Sequence, residues 1–377
     1  MPASLSPRDR GSLQRAVELG RKGWGRVHPN PLVGCVIVRD GEVVGEGWHA
    51  EYGGPHAEVV ALAAAGNRSN GAEVFVSLEP CRHQGQTPPC TDALLAAGVS
   101  RVVFGASDPG EESGGGGPLL AAKGIAVIGP AMTAEEARWE NPTFFAAERE
   151  RPWTALKLAL SLDGRIAARA GERGTLSGRE ALEEVHRLRA GFDGILVGTG
   201  TAIADDPLLT VRGPVEPRIA PRRILLDATG KLGPRAQVFG DRESEVWIVT
   251  TPESPKSWRR VVEEKGAILV DVPATAGGRV DLDTAMKELR RRGIESLLCE
   301  GGGEVASSLL SSGLVDRLYL ALAPRFLGEE GVPAFPGLPS PPVAGAAGAA
   351  WSFGEAPRRL GEDLWLALKP GPTEESS

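Results

Sequence analysis

Short apolar runs alternate with helical patterns along the chain, and this alternation predicts strands and helices in turn. An apolar run on either side of Asp40–Gly41 predicts a β-hairpin, because Asp-Gly favours a two-residue turn. The stretch HAEVVALAAAG, residues 56–66, predicts a helix that ends at Gly66. The pattern further predicts a helix over 8–22, strands over 72–80 and 101–106, and a helix over 87–98. This order is typical of an α/β layered domain.

A second alternation of strands and helices occupies the later part of the chain. The stretch SDPGEESGGGGP, residues 107–118, has the composition of a flexible loop, and ERERP at 148–152 has that of a join between domains. Apolar strands resume at WTALKLALSLDGRIA and continue to RLYLALAPRFLG. The sequence therefore predicts an α/β protein with two domains, residues 1–148 and 149–370.

Composition narrows the range of partners. The net charge of the 377 residues is −7, which argues against a nucleic acid or an anionic membrane as partner. No apolar run approaches about 18 residues, and the N-terminal residues lack an apolar core of signal-peptide length. We therefore expect a cytoplasmic protein. A small anionic ligand stays possible, because it needs only local basic residues.

The four cysteines are too few for a disulfide framework. In a reducing compartment, closely spaced thiols indicate metal binding or catalysis. Cys81 and Cys90 lie close together in LEPCRHQGQTPPC, and His56 opens the alanine-rich helix before them. These three residues form a set of imidazole and thiolate ligands suited to catalytic zinc, which keeps one position for water.

Glu58, two residues after His56, is placed to act as a general base on that water and to return the proton to a leaving amine. The H-x-E…P-C pattern is that of zinc deaminases. Thr87 is expected to cap the second helix and Pro88 to suit its opening turn. Both helix N-termini would then lower the pKa of the thiols.

Other residues of these types have plainer interpretations. A structural zinc site has four protein ligands, and His83 is the nearby candidate for the fourth. Cys35 and Cys299 lie in apolar strands and are expected to be core thiols. His28 and His186 are expected to be surface or packing residues.

Three motifs, HPNPLVGCVIV, GWHAEYGGPHAE and EPCRHQGQTPPC, resemble the deaminase domain of the bifunctional deaminase/reductase family of riboflavin biosynthesis. The resemblance covers residues 10–110 and implies a cytidine-deaminase-like α/β/α sandwich. It also implies that Asn30, His49 and His83 line a pocket for pyrimidine and ribose phosphate. The implied reaction is hydrolytic removal of the 2-amino group from a diaminopyrimidine carrying a ribose phosphate.

The chain departs from this family at two places near the implied pocket. Gln86 stands where the family has Lys or Arg before TPPC, and DPGE at 108–111 stands where it reads DPNP. Loss of a cation from a phosphate contact weakens binding by about 1–3 kcal/mol. Arg82 is a basic residue that could compensate for it.

The segments KLALSLDGRIA, GILVGTGTAIADDPLLTVR and CEGGGEVASSLL resemble the reductase domain of the same family, across residues 150–330. The three consecutive glycines alone are a weak phosphate-binding signal, since a tight turn would need them equally. The resemblance implies a dihydrofolate-reductase-like α/β fold that uses NADPH. The implied cofactor contacts are Ala159, Thr175, Thr201, Asp205, Gly302, Gly303 and Glu304, the last three within the stretch 302–308. The implied substrate contacts are Arg173, Arg189, Leu209, Arg212 and Glu300.

Two departures affect the reductase half. In GERGTLSG, Arg173 replaces a serine that meets substrate in the family, and Thr175 replaces a tryptophan that meets cofactor. Two arginines could bind a 5′-phosphate through charge-assisted hydrogen bonds. Without the resemblance, Arg187 and Arg189 are equally well interpreted as solvated helix charges.

The favoured hypothesis is a two-step enzyme that uses zinc and NADPH on a small pyrimidine substrate, without nucleic-acid or membrane partners, as a homo-oligomer. A second hypothesis keeps the deaminase and makes the reductase domain a degenerate, stabilising module. A third is another pyrimidine nucleotide or nucleic-acid deaminase. The acidic pI and the low aromatic content of 5% argue against extended single-strand binding. A fourth hypothesis is a binding protein that zinc stabilises and that has no enzymatic activity.

Overall fold

Each half of the chain contains one large sheet, as the two alternations of apolar runs predict. The computed structural model describes residues 5–85, 87–146, 148–172, 174–241, 243–338 and 351–371. The chain divides into two units, Met1–Ala147 and Glu148–Ser377. In the described ranges, no helix is both long and apolar enough to cross a lipid bilayer.

The first unit is built on a five-stranded sheet in the order β2-β1-β3-β4-β5. The strands are β1 (Gly34–Arg39), β2 (Glu42–Trp48), β3 (Glu73–Leu78), β4 (Arg101–Ala106) and β5 (Ala126–Ile128). The helices are α1 (Pro7–Gly20), α2 (Ala57–Ala65), α3 (Cys90–Ala96), α4 (Gly116–Ala122) and α5 (Ala134–Glu140). Strand β1 is antiparallel to both neighbours, whereas β3, β4 and β5 run parallel, so helices cover both faces as in a three-layer sandwich.

Local predictions in this unit are mostly confirmed. Strands β1 and β2 form the hairpin around Asp40–Gly41, and α2 ends at Gly66, whose φ of 54° suits a residue without Cβ. The loop prediction for 107–118 is wrong at its end, because α4 begins at Gly116. Gly116 and Gly117 are buried there, so these glycines allow close packing of a helix start.

Close packing of α2 on β2 places the start of that helix. The buried face of α2 is Ala57, Ala61 and Ala65, spaced by four residues, and it meets the glycines of β2. A Cβ on Gly47 would lie 2.5 Å from the carbonyl oxygen of Ala57. The alanine-rich composition of α2 therefore reflects a helix that approaches the strand backbone directly.

The second unit is built on a ten-stranded sheet, β11-β10-β9-β8-β12-β6-β13-β17-β15, with β16 beside β17. Its strands are β6 (Trp153–Leu160), β8 (Gly194–Gly198), β9 (Arg222–Leu226), β10 (Val246–Thr250), β11 (Ala267–Asp271), β12 (Ser296–Cys299), β13 (Arg317–Leu322), β15 (Trp351–Phe353), β16 (Arg358–Leu360) and β17 (Asp363–Pro370). A separate pair is formed by β7 (Arg165–Ala167) and β14 (Val332–Pro333). The helices are α6 (Arg179–Arg189), α7 (Thr199–Asp205), α8 (Lys256–Glu264), α9 (Leu282–Arg291) and α10 (Gly303–Ser311).

Neighbouring strands run parallel along the part of the sheet with the order β11-β10-β9-β8-β12-β6-β13. The carboxyl ends of these strands therefore lie on one edge of the sheet. Helices α7 and α10 start directly after the adjacent strands β8 and β12, so both helix N-termini lie at that edge. Crevices at the carboxyl ends of parallel strands are the usual ligand sites of such sheets. Cys35 and Cys299 are fully buried in their strands, as expected of core thiols.

Candidate functional site

His56, Cys81 and Cys90 bring three metal-binding atoms together in the first unit, all within 4.8 Å of one another. The Nδ1 atom of His56 lies 3.0 Å from Sγ of Cys90 and 3.4 Å from Sγ of Cys81. Tetrahedral zinc with bonds of about 2.0–2.3 Å separates its ligand atoms by roughly 3.6 Å. The spacing and the N/S donor chemistry of this set therefore fit zinc.

Each of these residues is placed by the end of a regular element. His56 is the N-cap of α2, Cys81 follows β3, and Cys90 is the first residue of α3. The backbone N–H of Cys90 donates to Sγ of Cys81 over 3.4 Å. Hydrogen bonds from Cys90 and His56 lower the pKa of Cys81, which favours its thiolate form.

Thr87 has a role other than the expected helix cap. The N-cap of α3 is Pro89, and no side chain among the residues that the structure describes caps that helix. The Oγ1 atom of Thr87 instead lies 3.1 Å from Nε2 of His56. Because this contact holds the far ring nitrogen, it orients Nδ1 of His56 toward the two sulfurs, as outer partners of metal-binding histidines do.

Glu58 lies in the first turn of α2, next to the three ligands. Its side chain is only 3% exposed. Burial raises the pKa of Glu58, although the nearby His56 opposes the shift. A carboxyl group with a raised pKa can both accept and return a proton near neutral pH.

The structure brings Asn30 and His49 together beside the ligand set. The Nδ1 atom of His49 lies 3.1 Å from the carbonyl oxygen of Pro55, to which it donates, so its Nε2 accepts from the Asn30 amide over 3.1 Å. Burial lowers the pKa of His49, which favours this neutral form. The rings of His49 and His56 meet edge to face with centroids 5.7 Å apart.

His83 does not join the metal-binding set, which contains three ligands among the residues that the structure describes. The alternative of a closed four-ligand site with His83 is therefore not what the geometry shows. Its Nδ1 atom is buried and has no hydrogen-bond partner within the described ranges. A buried ring nitrogen of this kind needs a partner, and a bound ligand would supply one.

Glu79 is a further residue of this site that the sequence did not single out, and its partner Asp108 belongs to the DPGE segment noted as a departure. Glu79, two residues before Cys81, accepts from the backbone N–H groups of Asp108 and Gly117 over 3.2 and 2.9 Å. Burial raises the pKa of Asp108. The proline-terminated strand before Cys81 could have drawn attention to Glu79. Gln86, the noted departure, lies outside the described residues.

In the second unit, Thr201 and Gly302 meet where α7 and α10 begin. The backbone N–H of Gly302 donates to Oγ1 of Thr201 over 2.7 Å. A Cβ on Gly301 would lie 2.8 Å from the backbone N of Gly198, and one on Gly303 would lie 2.6 Å from the carbonyl oxygen of Pro333. The glycine run is therefore required by close backbone approach at the edge of the sheet. Ala159 is the residue before the last of β6, and Asp205 is the last residue of α7.

Arg189 and Glu300 form a buried ion pair, so the interpretation of Arg189 as a solvated charge is wrong. Two bonds of 2.6 and 2.9 Å join them, and each side chain is 11% exposed. Burial raises the pKa of Glu300, but the charges of Arg189 and Lys157 outweigh it and the net shift is downward. Lys157 is a buried charged residue in the otherwise apolar strand β6, and the sequence did not single it out.

Leu209 and Arg212 lie on a loop that the Arg189–Glu300 ion pair helps to hold. Arg189 donates to the carbonyl oxygen of Thr210 over 2.8 Å. Leu209 is buried and has a φ of 55°, which is strained for a residue with a branched side chain. His186 is also more than a packing residue, because its Nδ1 accepts from the backbone N–H of Arg212 over 3.0 Å.

Two of the implied reductase residues, Glu304 and Thr175, are not part of the Thr201–Gly302 and Arg189–Glu300 clusters. The side chain of Glu304 is 74% exposed and pairs with Arg279 over 3.3 Å. Thr175 is exposed, and within the described ranges it makes no hydrogen bond to another residue. Arg173 lies outside the described residues.

Two family models match the chain. Residues 7–106 match the cytidine and deoxycytidylate deaminase zinc-binding region. Residues 152–347 match the RibD C-terminal domain.

Proteins similar over nearly the whole chain carry a consistent description. The riboflavin biosynthesis protein RibD of Escherichia coli K12 is 38% identical over 340 residues, covering 86% of this chain and 91% of that protein. RibD of Aquifex aeolicus is 38% identical over 330 residues, covering 85% and 88%. Among solved structures, Acinetobacter baumannii RibD is 33% identical with a TM-score of 0.76, covering 97% of this chain and 99% of that one. A Thermotoga maritima structure described as a diaminohydroxyphosphoribosylaminopyrimidine deaminase/5-amino-6-(5-phosphoribosylamino)uracil reductase is 31% identical with a TM-score of 0.75 and the same coverage.

Proposed function

The chain belongs to the bifunctional deaminase/reductase family of riboflavin biosynthesis, and on that premise we propose the substrate of each site and the residues that act there. It is an enzyme with a zinc-dependent deaminase and an NADPH-dependent reductase. We propose the two reactions that name the Thermotoga maritima relative. Water replaces the 2-amino group of the diaminopyrimidine ribose phosphate and ammonia leaves; NADPH then reduces the opened ribose to a ribityl chain.

The deaminase proposal rests on the convergence of His56, Cys81 and Cys90 beside a buried carboxyl group. Zinc in this set would lower the pKa of a water molecule and so make a nucleophile available at neutral pH. Glu58 would accept a proton from a water molecule held there and deliver it to the leaving amine. Its raised pKa suits both transfers.

Asn30, His49 and His83 then hold the pyrimidine and its ribose phosphate. The Nε2 atom of His49 accepts from the side-chain NH₂ group of Asn30. The side-chain oxygen of Asn30 is then left to accept from a substrate N–H. The unpartnered Nδ1 of His83 offers a further contact. The roles of Asn30 and His49 depend on a neutral His49, which its burial favours.

The reductase proposal rests on the paired starts of α7 and α10. Backbone N–H groups at the N-terminus of α10 suit a phosphate of NADPH, and Thr201 orients Gly302 within it. NADPH supplies the hydride, and the protein positions it. We propose that the cofactor also contacts Ala159, Thr175, Asp205, Gly303 and Glu304.

The sugar phosphate is assigned to the neighbouring loop. Arg212 is held by its backbone at His186 and can present its guanidinium to the phosphate. Arg189 is already neutralised by Glu300, so its part is to hold the loop at Thr210 and Leu209. We assign Arg173 to this substrate site as well, with Leu209 and Glu300.

The test follows ammonia release and NADPH oxidation separately on the diaminopyrimidine phosphate. Glu58→Gln should abolish ammonia release while zinc stays bound and the deaminated product is still reduced. Glu51→Gln is the matched control, because Glu51 is 62% exposed and pairs with Arg26. Retained ammonia release in Glu58→Gln contradicts the proton transfer, and an absence of NADPH oxidation in the wild type favours a degenerate reductase.

We further propose domain limits of 1–148 and 149–370, a cytoplasmic location and a homo-oligomeric state. The limits rest on the unit division near residue 147 and on the family matches on either side of it. Sedimentation of the purified chain tests the oligomeric state. The acidic net charge argues against nucleic-acid partners, and a binding assay with single-stranded DNA checks this.

A further inference from the structure

We propose that Asn141 is a positioning residue for deamination, whose side-chain amide holds the loop that carries Asn30 against His49. The inference rests on the proposed function, in which Asn30 and His49 contact the pyrimidine. Asn141 directly follows α5. It lies in the stretch 107–151, which neither family model covers.

The amide of Asn141 pairs with both backbone groups of one residue. Its Oδ1 accepts from the N–H of Leu32 over 2.6 Å, and its Nδ2 donates to the carbonyl oxygen of Leu32 over 3.1 Å. The side chain thus forms the two hydrogen bonds that a neighbouring strand would form with Leu32, just before β1 begins. Asn141 is 7% exposed, so these bonds are shielded from competing water.

Leu32 lies between the two points at which this loop contacts His49. Two residues earlier, the amide of Asn30 donates to Nε2 of His49 over 3.1 Å. One residue later, the carbonyl oxygen of Val33 accepts from the backbone N–H of His49 over 2.9 Å. A clamp at Leu32 therefore sets where Asn30 stands relative to the His49 ring.

The helix that presents Asn141 is itself anchored. Glu140 forms two bonds of 2.6 and 2.8 Å with Arg21, just after α1, and its side chain is 17% exposed. At the other end, Thr133 and Glu136 form a capping box. Helix α5 is therefore a fixed support, and Asn141 transmits its position to the loop.

The experiment replaces Asn141 in the full chain and follows four quantities: kcat and KM of ammonia release, zinc content, and NADPH oxidation on the deaminated product. Asn141→Ala should raise KM about tenfold with kcat, zinc and NADPH oxidation unchanged, because hydrogen-bonded placement of Asn30 is lost while the zinc chemistry stays. Asn141→Gln keeps both the acceptor and the donor on a side chain one methylene longer, so its KM should lie between those of the wild type and the alanine variant. If the alanine variant does not fold, the glutamine variant decides.

Two controls separate positioning from mere stability. Ser6→Ala removes the cap of α1 and should lower the melting temperature with KM unchanged. If Asn141 acts through Asn30, then Asn30→Ala and the double variant with Asn141→Ala should have the same KM. Additive effects, or a joint fall of kcat and zinc content at unchanged KM, overturn the inference.

The outcome also distinguishes this inference from the proposed function. A wild-type chain that releases no ammonia from the diaminopyrimidine phosphate overturns both. A wild type that releases it, an Asn30→Ala variant with raised KM, and an Asn141→Ala variant with wild-type KM together overturn only the positioning role.

Discussion

Replacing Gly47 with alanine is expected to slow deamination, because the added methyl group pushes on the helix that carries His56 and Glu58. Gly47 lies in β2, directly against the first turn of α2. A Cβ on this residue would lie 2.5 Å from the carbonyl oxygen of Ala57 and 2.5 Å from the backbone N of Ala61. Ordinary contact begins at about 3.4 Å, so helix and strand must separate by roughly 0.9 Å.

That displacement sets the expected size of the effect. Misplacing a group by about 1 Å costs roughly 100-fold in rate, whereas overpacking costs about 1–3 kcal/mol of the 5–15 kcal/mol that stabilise a typical domain. Gly47→Ala should therefore fold, and its kcat for ammonia release should fall about 100-fold. Reduction of the deaminated product by NADPH should be unchanged, because that site belongs to the other unit.

The assay measures ammonia release, zinc content and NADPH oxidation on one preparation. Gly11→Ala is the matched control, because Gly11 lies in α1 and a Cβ there meets nothing within 4 Å. The control should keep full activity and gain about 0.5–1 kcal/mol of stability. A folded Gly47→Ala variant that releases ammonia within about threefold of the wild-type rate refutes the idea that this packing places the site.

Three further results are expected. Burial lowers the pKa of His186 from 6.5 to about 4, so between these values the unfolded chain binds a proton that the folded chain does not. Stability should therefore fall as pH drops through this window, and thermal denaturation should show a shallower fall in His186→Asn. Arg189→Met leaves Glu300 buried without its cation and should cost about 3–5 kcal/mol in urea denaturation. Removal of zinc by a chelator should abolish ammonia release, leave NADPH oxidation intact and make Cys81 and Cys90 reactive toward thiol reagents.

Local pattern was a good guide where neighbours in sequence decide the structure. The hairpin at Asp40–Gly41 and the end of α2 at Gly66 depend on turn residues that the chain itself supplies. Thr87 shows where this reasoning stops, because its hydroxyl could cap α3 or contact His56, and only the folded position of His56 decides between them. Residue type alone cannot choose between a local partner and a distant one.

The proposed metal ligands and Glu58 could be named from the sequence, because zinc requires particular donor atoms and the H-x-E…P-C pattern is that of zinc deaminases. The clamp of Asn141 on Leu32 could not, since 109 positions separate the two residues and an asparagine after a short helix carries no signal of its partner. The same holds for the burial of the Arg189–Glu300 pair. The sequence by itself determined the chemistry and the order of the elements. Only the tertiary structure decided which side chains meet and which are shielded from water, because such contacts depend on how the sheets and helices pack.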